Sequence, residues 1–596
     1  MPRAPVLLVA VCLSCHPPAP GVPAAPDAGG VAIRINQLGY QPDAPKVAVV
    51  CALVPRVVDS FRIVDQRNHT VFGPHAADAA GPFGPCAATY RLDFGALRQP
   101  GGYRILAAGA TSPLVRIADD VYRGAADSLL AYLREQRSGY NPVFRDSVHQ
   151  RTDGILVDHP TRSGEFLPVA GGWADASDYL QYGATTAHAT IMLLLAYRDH
   201  PEAFADRFQA NGLPGANGVP DVLDEARWGL VWLLEMYPQD DLLLNQLGDD
   251  RDHTFWDLPT TDSADYGWGR GGPRPVYPCT GKPQGLFQYQ NRSTGLASTA
   301  GKYAAAFALG AAILGARDSA FAHRLAGRAR AVYALGAAHP GVCQTAPARS
   351  PYFYEEDDWA DDMELGAVEL YGLTRERILL DAALHYAALE PVTPWMGQDT
   401  ARHYQWYPWH NNGHYEIWRA GSDSAKRVVA DDYRRGLAAV AARARNGFRI
   451  GIPFIWCSNN LVASFATQAT LYRQMTGDST YSEYESAALD WLFGANPWGV
   501  SMVIGLGDSY PRTPHSVVAQ QLSLQLTGGL VDGPVYRSIF QSLRGIRLLE
   551  PDEYAAFNTG FIVYHDDVGD YSTNEPIMDG TANLAYLLAK RASRKW

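Results

Sequence analysis

The chain has no surplus of positive charge. Its 50 Lys and Arg stand against 62 Asp and Glu, a formal net charge of −12. Such a surface repels nucleic-acid phosphate and anionic membrane, so nucleic-acid binding is not expected and a neutral partner fits. Long apolar runs are also missing. No stretch beyond the N-terminus holds eighteen apolar residues in a row, so no transmembrane helix is expected. There is no P-loop, no His-Glu-x-x-His pair and no serine nucleophile elbow. Gly267-Trp-Gly-Arg-Gly-Gly272 spells a dinucleotide fingerprint, but it follows no strand and opens no helix. Cysteines are few, seven in 596 residues. Cys12 and Cys15 lie in an apolar N-terminal stretch outside any folded pattern, which argues against a redox pair or a zinc site.

That N-terminus reads instead as an export signal: Arg3, then an apolar run from Val6 to Leu13, then small residues before Cys15. Ser14-Cys15 resembles the end of a lipoprotein signal, so a lipid anchor at Cys15 is one expectation. Cleavage within the Ala/Pro stretch 17–26 is the other. The protein is expected to be secreted, periplasmic or anchored at the cell surface. Cys51 and Cys86 could pair after export; Cys279, Cys343 and Cys457 read as structural.

Three regions follow. Residues 1–30 form the signal and a Pro/Ala/Gly linker. Residues 31–118 carry short apolar runs separated by Gly, Pro, Asp and Asn, the spacing of a small all-β sandwich. From 119 to 596 the apolar period becomes helical, with about a dozen helices and long aromatic, Gly-rich loops. Long loops on a helical scaffold usually carry function. The 14 Trp and 32 Tyr supply ring faces that fill cores and also stack on sugars.

Four stretches carry candidate chemistry. Gly171-Gly-Trp-Ala-Asp-Ala-Ser-Asp178 sets Asp175 and Asp178 three residues apart, a spacing that puts both on one face of a helical turn. Neighbouring carboxylates raise each other's proton affinity and can hold a water, and Trp173 adds a ring. Asp570-Tyr-Ser-Thr-Asn-Glu575 places Glu575 in an aromatic, acidic loop that could hold a protonated acid. Gly494-Ala-Asn-Pro-Trp-Gly-Val-Ser501, continuing to Pro514-His515, could hold sugar hydroxyls through Asn496, Ser501 and His515. Gly248-Asp-Asp-Arg-Asp-His253-Thr-Phe-Trp256 is a further acidic-aromatic loop. Each alone is more often a cap, a turn or a packed residue than a site.

In this order, the four resemble glycoside hydrolase family 9, the cellulase family built on an (α/α)6 barrel. Leu133-Arg-Glu-Gln-Arg-Ser-Gly139 and the run from Pro220 to Leu230 match as well. Ile35-Asn-Gln-Leu-Gly-Tyr40 resembles the immunoglobulin-like domain that precedes the barrel in many members. The resemblance covers the chain from about residue 31 onward. It implies a mainly α fold, an (α/α)6 barrel behind an immunoglobulin-like sandwich. It also implies inverting hydrolysis of a β-linked glucan-type polysaccharide or oligosaccharide. Position by position, Asp178 matches the general base, Asp175 its water-holding partner and Glu575 the general acid. His515, Trp256, His253, Trp173, Tyr571 and Asn574 are the substrate-binding candidates.

The chain departs from the family pattern at Ser177, where Gly is usual, and at Gln181, where Lys is usual. Ser516 and Val517 follow His515 in place of His and Arg, and Thr581 replaces a common Asn. These positions are expected to bind substrate, which leaves open exo-acting β-glucosidase or β-glucosaminidase activity. Arg512 is a candidate to replace the missing Arg. No cofactor is required by this chemistry. Structural calcium is an open expectation at Asp357-Asp358 with Asp361-Asp362, or at Asp566-Asp567. Trp406, Trp409, His410 and His414 form either a sugar platform or a packed loop. The rival readings are a non-catalytic sugar-binding protein on this fold, and a lyase or phosphorylase on a related barrel.

Overall fold

The computed structural model describes residues 30–149, 154–346 and 354–593. The segment with Cys12 and Cys15, and with it the export and anchor readings, lies outside the described residues.

The first layer is a sandwich of two antiparallel sheets. One runs Val31–Arg34, Val47–Ala52, Cys86–Asp93, Asp78–Phe83 in spatial order. The other runs Thr70–Ala76, Ser60–Asp65, Gly101–Ala107, Ala110–Thr111, with Val115–Ile117 also paired to Gly101–Ala107. Alternate residues such as Val50, Ile63, Leu92 and Ile105 meet between the sheets and are fully buried. Cys51 and Cys86 are joined by a disulfide. A second disulfide joins Cys279 to Cys343, a pairing the sequence left unassigned.

Twelve of the helices among the described residues pair into a closed double ring. The inner ring is Gly183–Asp199, Ala297–Leu314, Ala360–Thr374, Asn412–Ala420, Ser458–Thr476 and Met578–Ser593. Each packs on an outer helix: Asp221–Glu235, Ser319–Ala338, Arg377–Leu389, Asp423–Arg443, Ser482–Leu492 and Ala125–Glu135 respectively. This is the (α/α)6 barrel. Inner helices are buried almost all round because both faces are covered. Ala297–Leu314 is long and apolar enough to cross a membrane, yet 89% of it is buried inside the ring. Gly301 lets that helix approach Ala360–Thr374: a Cβ there would meet backbone of Asp362 at 2.5 Å.

The sandwich is braced against the barrel. Phe83 packs among Phe448, Phe454, Trp491 and Phe561, with ring centroids 5.6, 6.2, 6.2 and 6.1 Å away. Asn36, from the Ile35–Tyr40 stretch, donates to Asp490 at 2.8 Å and to the Tyr122 hydroxyl at 2.9 Å. Gln37 donates to the Gly499 carbonyl at 2.8 Å and accepts from the N–H groups of Asp508 and Ser509. The 494–501 loop is thereby a structural corner. Asn496 and Ser501 are fully buried, and Asn496 donates to the carbonyls of Trp491 and Val500. They hold the loop, contrary to the expectation that they meet sugar hydroxyls.

Candidate active site

The Gly171-Gly172 turn sets the first wall. Both glycines have positive φ, 131° and 69°. A Cβ on Gly172 would meet the Trp232 ring at 2.6 Å, so the chain passes only as glycine. Beyond the turn, residues 174–180 form a bend that ends in the strand Gln181–Tyr182, and not the helical turn expected from the Asp spacing. The Asp175 N–H donates to the Leu180 carbonyl at 2.9 Å and closes the bend. That closure brings Asp175 and Asp178 into one cavity of about 480 Å³.

Glu575 forms the opposite wall. It precedes the short strand Pro576–Ile577, which pairs with Leu530–Val531. The two walls are stapled together, since the Met578 N–H donates to the Asp175 carbonyl at 2.9 Å. Glu575 Oε1 accepts from the Ser177 N–H at 3.0 Å and from the Ser177 hydroxyl in a very short bond. Burial, with repulsion from Asp178, pushes the Glu575 carboxyl up to about 7 against the pull of His515 and Ser177.

Asp178 Oδ1 accepts from the Leu180 N–H at 2.8 Å, and Oδ2 lies 3.6 Å from His253 Nε2. Burial pushes its carboxyl up to about 7. Burial pushes the His253 imidazole down to about 4, so it faces Asp178 as a neutral ring. Asp175 Oδ1 accepts from the Thr185 hydroxyl at 2.8 Å, and Oδ2 from the Tyr354 hydroxyl. Burial, then Asp178, raises the Asp175 carboxyl, while those two hydroxyls hold it down.

His515 and Trp256 make the mouth. Their rings lie against each other, tilted by 39° with centroids 4.5 Å apart, and Trp256 is 43% exposed. His515 Nδ1 donates to the Val568 carbonyl, which fixes the orientation of the ring. Tyr571 completes this side and lies 5.3 Å from the Trp456 ring.

Two family models match this chain. The description "Glycosyl hydrolase family 9" covers residues 122–588, and "Cellulase N-terminal ig-like domain" covers 28–112. The chain belongs to glycosyl hydrolase family 9. Endoglucanase C of Cellulomonas fimi is 28% identical over 97% of this chain and 53% of that protein, so the chain spans about half its length. The xyloglucan-specific endo-beta-1,4-glucanase BoGH9A of Bacteroides ovatus is 25% identical over 89% of each chain. A metagenome-derived glycoside hydrolase family 9 endoglucanase superposes with a TM-score of 0.76 at 29% identity, over 95% of this chain and 100% of that one.

Two residues carried over from the family resemblance do not reach the cavity. Trp173 is fully buried and packs on Gly229 beneath the turn, so its ring is core and not a sugar platform. Asn574 is fully buried and donates to the Thr513 carbonyl at 2.8 Å, holding the acid's loop to the His515 loop. The departures from the family pattern behave alike. Gln181 donates to the Gly171 carbonyl and accepts from Arg274, Ser516 caps the helix Val517–Leu522, and Thr581 donates to the Ile577 carbonyl and accepts from the Leu530 N–H. They are packing solutions. Ser177 alone among them lines the cavity. Arg512 is held by Glu553 and Asp566 and lines a neighbouring pocket, so it does not stand in for the missing Arg.

The Trp406–His414 stretch resolves as packing. Trp409 is 2% exposed, and His414 sits on the inner helix Asn412–Ala420 with Nδ1 2.8 Å from Glu364. Other cavity residues escaped the sequence reading: Tyr354, His403, Tyr404, Trp456, Cys457 and Asp532. They come from loops far apart in sequence, and no short motif unites them.

Of the acidic clusters, Asp566 and Asp567 are occupied by backbone N–H groups of Arg512, Thr513, Leu549 and Glu550. Asp362 is neutralised by the buried Lys302 at 2.6 Å. Asp358, Asp361 and Glu390 differ, with ligand atoms within 4.8 Å of one another. Asp361 Oδ1 and Glu390 Oε2 are buried without a hydrogen-bond partner. This oxygen-only donor set suits a hard divalent cation.

Proposed function

We propose that the chain is an inverting β-glycosidase acting on a β-linked glucan-type polysaccharide or oligosaccharide. The observation that carries this reading is the opposed pair Asp178 and Glu575, two partly buried carboxyls pushed up to about 7 across one cavity. Ser177 occupies Oε1 of Glu575, so the transferable proton sits on Oε2. Glu575 delivers it to the leaving glycosidic oxygen. Asp178 takes a proton from water attacking the opposite face of the sugar, with Asp175 orienting that water. The anomeric carbon is displaced once, so its configuration inverts. Trp256 and His515 offer the aromatic mouth on which the sugar rests.

Export fits the two disulfides, which form in oxidising compartments. Cys15 is the proposed lipid attachment point. Calcium is the proposed ion at Asp358, Asp361 and Glu390, where it would neutralise three clustered acids in a structural role. The deciding experiment follows product anomers by proton NMR during hydrolysis of a β-glucan. Inversion in the wild type, lost in Asp178→Asn and Glu575→Gln, is expected; retention would refute the mechanism.

A further inference from the structure

The loops that lead into the inner helices open on the catalytic face. Asp178 precedes Gly183–Asp199, Tyr354 precedes Ala360–Thr374, His403 precedes Asn412–Ala420, Cys457 precedes Ser458–Thr476 and Glu575 precedes Met578–Ser593, and all five line the cavity. The loop before Ala297–Leu314 obeys the same rule, since it brings His253 and Trp256 to the cavity. It then runs on to a second tip that the hydrolytic mechanism does not use.

That tip exposes apolar side chains. Phe287 is 88% exposed, more than any other large apolar side chain among the described residues, and Leu286 beside it is 73% exposed. Water penalises such a patch, and an apolar patch kept on a well-anchored segment marks a contact site. The anchoring is specific. Gln284 and Asn291 are buried and close the base of the tip. The Gln284 N–H donates to the Asn291 side-chain oxygen at 2.9 Å, and the Asn291 N–H donates to the Gln284 carbonyl at 2.9 Å. The Asn291 amide donates to the Thr345 carbonyl at 3.0 Å, and the Thr345 hydroxyl accepts from the Tyr354 N–H at 2.8 Å. The Cys279–Cys343 disulfide ties the start of the loop to the same segment. The tip therefore hangs from the backbone that carries Tyr354 into the cavity.

The composition of the tip identifies its occupant. Residues 283–291 hold no charged side chain, which does not suit an anionic surface. Gln288 and Gln290 are exposed and interleave with the rings of Phe287 and Tyr289. A sugar unit presents an apolar C–H face and a rim of hydroxyls. Rings take the first and amides the second. Trp256 and His515 offer ring faces at the mouth, so a neutral glycan leaving the cavity meets the same chemistry twice.

We infer that the 284–291 tip is an outer glycan contact, where Leu286 and Phe287 seat a sugar unit of a β-glucan chain that extends beyond the cavity. The inference rests on the glycosidase reading above and deepens it, because it makes a polymer, and not a short oligosaccharide, the substrate class.

The test uses the full chain with a soluble mixed-linkage β-glucan as the long probe and 4-nitrophenyl β-cellobioside as the short one. The double variant Leu286→Ala with Phe287→Ala is expected to lower the polymer-to-cellobioside ratio of kcat/KM at least fivefold, mainly through KM on the polymer. Phe287→Trp keeps a ring face and is expected to hold that ratio within twofold of wild type. A ratio that the double variant leaves unmoved overturns the inference, whether both rates stay or both fall. Affinity electrophoresis in gels containing the β-glucan gives a readout without turnover. Glu575→Gln is expected to be retarded, and adding the double substitution to it should remove at least half of the retardation. Equal retardation of the two, or none in either, defeats the inference. Retardation that depends on Leu286 and Phe287, with neither probe hydrolysed by wild type, would defeat the hydrolase reading alone.

Discussion

Ser177 donates both its N–H and its hydroxyl to a single oxygen of Glu575. It is the one departure from the family pattern that faces the cavity, and it bears on the acid. A donor to a carboxylate stabilises the charged form, so the hydroxyl holds the Glu575 pKa down. Ser177→Ala keeps the N–H and removes the hydroxyl. A net hydrogen bond of ~1 kcal/mol corresponds to ~0.7 pH unit. The alkaline limb of the kcat/KM–pH profile is expected to move upward by about that amount. An unmoved or lowered limb would show that Ser177 does not tune the acid.

The two walls should fail differently. Loss of a general acid or base slows a reaction by roughly 10²–10⁴-fold. Glu575→Gln is expected to show that loss on natural oligosaccharides and to recover much of it on aryl glycosides, whose leaving groups need no proton. Asp178→Asn should show no such recovery, because water still lacks its base. Rates on the two substrate types for each variant check this. Recovery in Asp178→Asn would reverse the assignment.

The carboxylates were legible in the sequence because short motifs carry them: Asp175 and Asp178 within one bend, Glu575 within another. The helices were legible where an apolar period ran for several turns. Asn412–Ala420 was not, since its nine residues include His414 and Glu416, polar groups buried by partners elsewhere in the barrel. The strands Thr70–Ala76 and Asp78–Phe83 were missed for a related reason. They are largely exposed, and Gly73, Pro74, Gly81 and Pro82 break the alternation. Trp173 misled because a tryptophan beside two candidate acids looks like a sugar platform; only the path of the Gly171-Gly172 turn sends it inward. Asp532 and Cys457 could not be seen at all, because 75 residues separate two side chains that share a hydrogen bond.

The acid triad Asp358, Asp361 and Glu390 gives a stability prediction. Burial and mutual repulsion raise the Asp361 and Glu390 carboxyls, so without a cation the cluster must hold protons. A ligand at about 100 times its Kd stabilises by ~2.7 kcal/mol. Melting curves are expected to fall by several degrees when EDTA replaces millimolar calcium. Asp361→Asn should abolish the calcium response while keeping most of the fold. A melting temperature indifferent to both calcium and EDTA would remove the ion from the reading.

The catalytic pair should also lower stability at high pH. Asp178 is raised from 3.8 to about 7 and Glu575 from 4.5 to about 7. Between those limits the folded state binds more protons than the unfolded chain. Folding stability from these two groups is therefore present at low pH and lost as pH rises through about 7. Asp178→Asn with Glu575→Gln removes both titrations while keeping the shape of each side chain. Urea denaturation at pH 4 and pH 8 should show the double variant gaining stability over wild type mainly at pH 8. Asp175 and Asp532, which Asp178 and Glu575 raise, are relieved in the variant and add to the gain in the same direction, while acids remote from the cavity cancel. An equal gain at both pH values would mean that the pair ionises in the fold as readily as in water, leaving Glu575 without the proton it must donate.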